Sequence, residues 1–87
     1  MSANNSEQIK TGLQYHQTGR LQEAEAIYRS ILQEQPRHPD ALNLLGILSL
    51  QVGKSEAAAE LFERAIAVKP DDPEFYNMCG EAYRILR

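Results

Sequence analysis

The sequence predicts an all-α fold in which antiparallel helix hairpins stack into a solenoid of about two and a half repeats. Three observations support this prediction: residue types recur at intervals of 34 positions, apolar residues within each period are spaced by three and four, and glycines or prolines divide each period. The recurring positions are Gly12, Gly46 and Gly80; Gly19 and Gly53; Ala24 and Ala58; Pro36 and Pro70; Pro39 and Pro73; and Asn43 and Asn77.

Five helices are predicted, over about residues 6–18, 21–34, 39–52, 55–68 and 73–86. They form a single domain, 1–87, with repeat 1 at about 5–38, repeat 2 at 39–72 and a partial repeat 3 at 73–87. The second and fourth helices carry the clearest amphipathic stripes, and neither stripe alternates with a period of two, so we expect no strands. Their apolar positions are Leu21, Ala24, Ile27, Tyr28, Ile31 and Leu32, and Ala58, Leu61, Phe62, Ala65 and Ile66.

Glycine and proline predict the helix ends. Gly19 and Gly53 each follow a helical stretch, where glycine can adopt the left-handed conformation that closes a helix. Pro39 and Pro73 come after a turn, and proline is tolerated in the first turn of a helix because its missing N–H has no intrahelical partner there. Each period is therefore divided into a first helix, before the glycine, and a second helix after it.

The glycines inside the first helices predict close packing within each hairpin. Glycine in a helix costs roughly 1 kcal/mol relative to alanine, so we expect a compensating contact. The prediction is that Gly12 faces Ala24 and that Gly46 faces Ala58, with the aromatic residue four positions after each alanine filling the wider end of the interface. Larger side chains at these positions should overpack the hairpin.

Composition and charge exclude several classes of partner. Hydrophobic residues make up 43% of the chain and charged residues 24%, which is ordinary for a globular protein. The net charge is −3, with both signs interspersed, so no basic stripe is available to neutralise phosphates. We therefore expect neither nucleic acid nor membrane as a partner.

The reactive side chains predict neither an enzyme nor a cofactor or metal site. Cys79 is the only cysteine, and its repeat equivalent is Leu45, so we interpret it as a small buried residue. The two histidines, His16 and His38, have no recurring cysteine or carboxylate cluster around them. A lone thiol, a polar beginning without an apolar run, and no stretch of ~18 apolar residues predict a cytoplasmic protein.

The pattern of small, aromatic and proline residues resembles the tetratricopeptide repeat. The second period resembles it most closely, and its one clear departure is Ser49, where the family prefers an aromatic residue. The first period departs at Gln8, Thr11 and Ile31. The matching positions are Leu42, Leu45, Gly46, Ala58, Phe62, Ala65 and Pro70 in the second period, Gly12, Tyr15, Ala24, Tyr28 and Pro36 in the first, and Tyr76, Cys79, Gly80 and Tyr83 in the third.

The resemblance implies a right-handed solenoid whose first helices line a concave groove, and a non-enzymatic protein that binds a peptide or protein segment there. The run from Ala65 to Gly80 looks like that of bacterial repeat proteins, many of which carry such arrays ahead of a glycosyltransferase or another enzyme domain. The groove residues that the resemblance implies are Ile9, Leu13, His16 and Gln17; Asn43, Ile47, Leu50 and Gln51; and Asn77, Glu81 and Arg84.

Two asparagines 34 positions apart stand out among these groove residues. Asn43 and Asn77 are poor helix formers that have no capping role at their positions. A ladder of carboxamides could hold the backbone of an extended peptide through its donors and acceptors. The alternative is that these side chains bond within the array or face water.

The last predicted helix, 73–86, has no predicted partner helix after it. Either it begins a third repeat that continues in a longer chain, or it serves as a cap that packs on a second copy. We expect a shortened array that also forms a weak homo-oligomer through this C-terminal helix. Three functional hypotheses remain: a scaffold that binds a peptide or protein segment, a docking or regulatory module of a larger enzyme such as a glycosyltransferase, and a self-assembling unit.

Overall fold

The structure, a computed structural model, describes residues 5–87 and contains five helices and no strand among them. Three helices have the predicted limits, and the first and third end one residue earlier than predicted. This confirms the all-α solenoid. The helices are α1 (Ser6–Gln17), α2 (Leu21–Glu34), α3 (Pro39–Gln51), α4 (Ser55–Val68) and α5 (Pro73–Leu86).

Both hairpins close with the same backbone turn. Gly19 and Gly53 have φ angles of +82° and +85°, as their positions predicted. The N–H of Arg20 donates to the carbonyl of Tyr15 over 2.8 Å, and the N–H of Gly19 donates to the carbonyl of His16 over 3.2 Å. The α3–α4 turn repeats both bonds 34 residues later, at 2.8 and 3.1 Å. This pattern is a Schellman motif, which gives partners to the last carbonyls of α1 and α3.

Side-chain caps fix the beginnings of α3 and α5. Each helix has a proline at its first position, and the residue before that proline accepts a backbone hydrogen bond. His38 accepts through Nδ1 from the N–H of Ala41 at 3.2 Å, and the Asp72 carboxylate accepts from the N–H of Glu74 at 3.0 Å. The prolines therefore act at helix N-termini, as predicted, and Asp72 supplies the favourable negative charge there.

Neighbouring helices in the chain pack against each other, and the first helices also pack on one another. The backbone of α3 approaches both α1 and α5, whereas the backbones of α2 and α4 do not come together. Since the first helices are closer to each other than the second helices are, the array curves around its first helices. The surface of the first helices that faces away from the second helices forms the inner side of the curve.

The core repeats with the same register as the sequence. One buried cluster contains Ala24, Tyr28, Leu45 and Leu48, and the positions 34 residues further on, Ala58, Phe62, Cys79 and Ala82, form the buried cluster at the next joint. Each cluster joins a second helix to the first helix that follows it. Cys79 is thus a small buried core residue, as predicted, with 8% of its surface exposed.

The residue nearest to each of the first two helix glycines is not the alanine that the sequence suggested. A Cβ atom built on Gly12 would lie 2.6 Å from Cε1 of Tyr28, and one on Gly46 would lie 2.5 Å from Cε1 of Phe62. The atoms nearest to the two glycines therefore belong to the aromatic rings, which the sequence had placed at the wider end of the interface. The alanines lie one helical turn earlier and belong to the clusters that join one hairpin to the next.

Candidate binding groove

The predicted groove residues lie on the three first helices but differ in exposure. Those that are half-buried are Ile9, Leu13, His16, Ile47, Leu50 and Glu81; those that are exposed are Gln17, Gln51, Asn77 and Arg84; and Asn43 is buried. Ten of these eleven side chains, on α1, α3 and α5, are therefore at least partly accessible.

His16 connects α1 to α3, which are the first helices of repeats 1 and 2. Its Nδ1 atom lies 3.2 Å from the hydroxyl of Tyr28, and its Nε2 atom forms a short hydrogen bond with Oε1 of Gln51 on α3. Because Gln51 Oε1 can only accept, His16 Nε2 donates to it, and Nδ1 forms the second hydrogen bond, with the tyrosine hydroxyl. A buried core residue, a groove residue of α1 and a groove residue of α3 are thus joined in one hydrogen-bonded chain.

Asn43 connects α3 to α5, and this changes the interpretation of the asparagine pair. Its side chain is only 5% exposed, and its Nδ2 atom donates to Oε2 of Glu74 at 3.4 Å. Its repeat equivalent Asn77 is exposed. The alternative interpretation therefore holds for both residues: Asn43 bonds within the array, and Asn77 faces water. The two carboxamides do not present matching exposed groups, so the ladder geometry expected for an extended peptide is absent.

The α5 end of the groove is charged. Glu81 and Arg84 form an ion pair one helical turn apart, with 44% and 67% of their side chains exposed. The hydrogen bond from Arg84 lowers the pKa of Glu81, and the same bond raises the pKa of Arg84. Exposed pairs of this kind contribute little to stability, so the pair is better placed to set the charge pattern of the surface than to hold the fold together.

The α1 and α3 part of the groove is apolar by comparison. Ile9 and Leu13 on α1 are half-buried, and so are Ile47 and Leu50 on α3, which pack against the core cluster at the α4–α5 joint. Ile47 and Leu50 are therefore held in part by the core while they stay partly accessible. Apolar residues held in this way can bury a partner's side chain with little further loss of conformational freedom.

Catalytic and metal-binding chemistry has little geometric basis in residues 5–87. The two histidines act in hydrogen bonds, His16 to Tyr28 and Gln51, and His38 as the cap of α3. No group of three or more metal-ligating side chains comes together in this part of the chain. Burial raises the pKa of the Cys79 thiol, which keeps it protonated. None of the helices in this range is long and apolar enough to cross a bilayer.

The roles of two residues that form hydrogen bonds with predicted groove residues were missed in the sequence. Tyr28 was interpreted as a packing residue only, and no contact was predicted for Glu74. A signal for Tyr28 was available, because its repeat equivalent is Phe62: a hydroxyl in one of two equivalent buried rings indicates a polar neighbour in that repeat alone. No comparable signal marks Glu74, whose partner depends on how α5 packs on α3.

Comparison with known families agrees with this architecture. A family model described as tetratricopeptide repeat matches residues 15–82, which is most of the chain. Repeats of this family generally mediate protein–protein interaction and are typically non-catalytic. The matched region begins within α1 and ends within α5, so it includes the whole of α2, α3 and α4. The chain therefore belongs to the tetratricopeptide repeat family.

Proposed function

We propose that the inner side of α1, α3 and α5 binds a segment of another protein. The observation that carries the proposal is the series of partly accessible apolar residues, Ile9, Leu13 and Ile47, on the first helices, which lie together. Accessible apolar side chains with a few polar groups beside them are typical of binding grooves.

The chemistry of the surface favours an amphipathic segment. Apolar residues lie at the α1–α3 part and an ion pair lies at the α5 part, where Asn77 is also exposed. A peptide or helix with apolar residues at one end and polar or charged residues at the other would match both parts. The buried, bonded state of Asn43 argues against recognition of the peptide backbone by paired asparagines.

The experiment is a selection of peptides from a display library on the wild-type chain, followed by affinity measurements on variants. Leu13→Ala tests the apolar part, and Gln17→Ala with Asn77→Ala tests the exposed amides. We expect about tenfold weaker binding for Leu13→Ala, since truncating an interface anchor commonly costs more than ~1 kcal/mol.

A matched control is available on the opposite side of the array. Gln22 and Gln33 are exposed glutamines on α2, and replacing both with alanine changes the same chemistry away from the groove. Circular dichroism and thermal unfolding check that all variants are folded. Equal loss of affinity in the α2 variant, or full affinity in the Leu13 and amide variants, would show that the groove is not the binding site.

A further inference from the structure

A cavity of about 200 Å³ opens between α2 and α4, in the middle of the array. Its most buried lining residues are Leu48 and Ser49 of α3, which are 3% and 5% exposed. Arg29 of α2 lines one side, and Lys54 and Leu61 line the other. Because three successive helices form its walls, the cavity does not depend on where the chain begins or ends. It is also separate from the proposed groove.

Comparison of the three repeats explains why the cavity is present. Tyr15, Ser49 and Tyr83 are repeat equivalents, so the middle repeat has no ring at this position. At the next joint Tyr83 reaches from α5 to α4, where its hydroxyl donates to Glu63. The Ser49 hydroxyl instead bonds within its own helix, to the carbonyl of Leu45 at 2.8 Å. The cavity therefore lies where a ring would connect α3 to α2.

The size of the cavity and one of its charges suit an aromatic ring. A cavity of about 150 Å³ is enough to take up benzene, so there is room here for one ring. In repeat 1 the guanidinium of Arg20 lies 4.9 Å from the centroid of the Tyr15 ring, a cation–π contact. The repeat equivalent of Arg20 is Lys54, which lines the cavity. A ring held here would thus have a cation at the equivalent position.

The polar end of the cavity differs from the joint that holds Tyr83. The repeat equivalent of Glu63 is Arg29, which can donate hydrogen bonds but cannot accept them. Its Nε atom bonds to Glu25 at 2.8 Å, and its two NH₂ groups form no hydrogen bond within residues 5–87. Cations also outnumber carboxylates around the cavity: Arg29, Lys54 and Arg64 against Glu25 and Glu60. A ring that suits this site carries an anionic acceptor in place of the tyrosine hydroxyl.

We propose that the cavity binds a small aromatic carboxylate of the benzoate type. Its ring packs on Leu48 and Leu61 beside the Lys54 ammonium, and its carboxylate accepts hydrogen bonds from Arg29. A carboxylate bonded to a guanidinium forms a stronger hydrogen bond than a neutral hydroxyl does, so the charge and not the ring alone determines which ligand binds.

The test uses two probes that share a ring and a methyl group, 4-methylbenzoate and p-cresol, at about pH 7, where only the first is charged. Each is titrated into the isotope-labelled 87-residue chain and followed by NMR. We expect saturable shifts of the Ser49 and Lys54 amide resonances, and about tenfold weaker binding of p-cresol. Ser49→Tyr should abolish binding, because its own ring fills the cavity, whereas Ser49→Ala keeps the cavity open and should bind like the wild type.

A second pair of variants tests the charge without changing the cavity floor. Arg29→Gln should weaken 4-methylbenzoate binding about tenfold and leave p-cresol binding unchanged. Arg37→Gln is the matched control, since Arg37 is exposed in the α2–α3 turn, away from the cavity. Circular dichroism and thermal unfolding check that the variants are folded, and the Arg29 and Arg37 pair decides if Ser49→Tyr is not.

Three results would overturn the proposal. They are the absence of saturable shifts at Ser49 and Lys54, equal affinity of the wild type for the two probes, and undiminished binding of 4-methylbenzoate by folded Ser49→Tyr or by Arg29→Gln.

Discussion

A single hydroxyl group distinguishes Tyr28 from its repeat equivalent Phe62, and it creates a polar connection at one joint only. Both rings are fully buried and both cover a helix glycine. Only Tyr28 reaches His16, which in turn bonds to Gln51. Packing and polar contact are thus combined in one side chain in repeat 1, whereas repeat 2 uses packing alone.

Replacing Tyr28 with phenylalanine should keep the packing and remove the polar connection. We expect Tyr28→Phe to lower the free energy of unfolding by about 0.5–1.5 kcal/mol, the usual net value of a hydrogen bond. Chemical denaturation measures this change. The variant His16→Ala removes the same bond from its other end, together with the bond to Gln51. If Tyr28→Phe were as stable as the wild type, the bond would not contribute to stability.

Tyr28 also predicts how stability depends on pH. Burial raises its pKa to about 12, whereas tyrosine in an unfolded chain titrates near pH ~10. Between these values the unfolded chain binds fewer protons than the folded chain, so a rise in pH favours unfolding. We expect the free energy of unfolding to decrease from about pH 10 towards 12, and to decrease less steeply in Tyr28→Phe.

Two other groups require a control in this experiment. A hydrogen bond to Glu63 raises the pKa of Tyr83, and burial raises the pKa of Cys79. The comparison is therefore made in a Tyr83→Phe, Cys79→Ala background, in which these two contributions are removed. The same pH slope with and without the Tyr28 hydroxyl would mean that Tyr28 does not control the alkaline unfolding.

Gly46 leads to a third prediction at this scale. An alanine Cβ would lie 2.5 Å from the ring of Phe62, so the ring must move. Overpacking typically costs about 1–3 kcal/mol, which outweighs the gain in helix propensity of roughly 1 kcal/mol. Gly46→Ala should therefore destabilise the chain. The cost should shrink in a Phe62→Leu background, and equal costs in both backgrounds would contradict the contact.

The partner of the helix glycines could not be predicted from the sequence for a geometric reason. Ala58 and Phe62 are four positions apart and lie on the same face of α4, one turn from each other. Periodicity identifies the face but not the axial position at which two helices cross, and a shift of one turn exchanges the alanine for the ring. The burial of Asn43 could not be predicted either, because its partner Glu74 belongs to another repeat.

At the scale of helices, the sequence was more informative, because the ends of helices are determined by local residues. The turns at Gly19 and Gly53 require positive φ angles, and Pro39 and Pro73 cannot lie inside a helix, so these residues predict boundaries without knowledge of the packing. The two ends that differ by one residue are both C-termini, where Thr18 and Val52 act as caps rather than helical residues.

The cap of α5 makes a prediction at the helix scale. Asp72 accepts a hydrogen bond from the N–H of Glu74, while its neighbour Asp71 is exposed in the turn. We expect Asp72→Ala to cost about 0.5–2 kcal/mol in the free energy of unfolding. Asp71→Ala changes the same charge and serves as the control. Equal effects of the two variants would mean that charge near the helix, and not the cap, is responsible.

At the scale of the whole molecule, burial is concentrated in the middle of the array. Seven residues of α3 are buried, whereas Gly12 is the only buried residue of α1. In a solenoid each repeat is supported only by its neighbours, so the least covered end opens first. We expect amide hydrogen exchange to be slowest in α3 and fastest in α1. Uniform protection across the five helices would indicate a single cooperative unit instead.

The two hydrogen bonds between first helices also determine how the array can deform. Straightening it would separate α1 from α3 and α3 from α5, and would break the His16–Gln51 and Asn43–Glu74 bonds. Bending it further would push together helices that already touch. The inner edge therefore resists changes in curvature. We expect deformation of the array to occur on the outer side, where α2 and α4 are not in contact. A ligand bound on the inner side, as we propose, would meet a surface whose curvature is set in advance, so little of its binding energy would be spent on reshaping the protein.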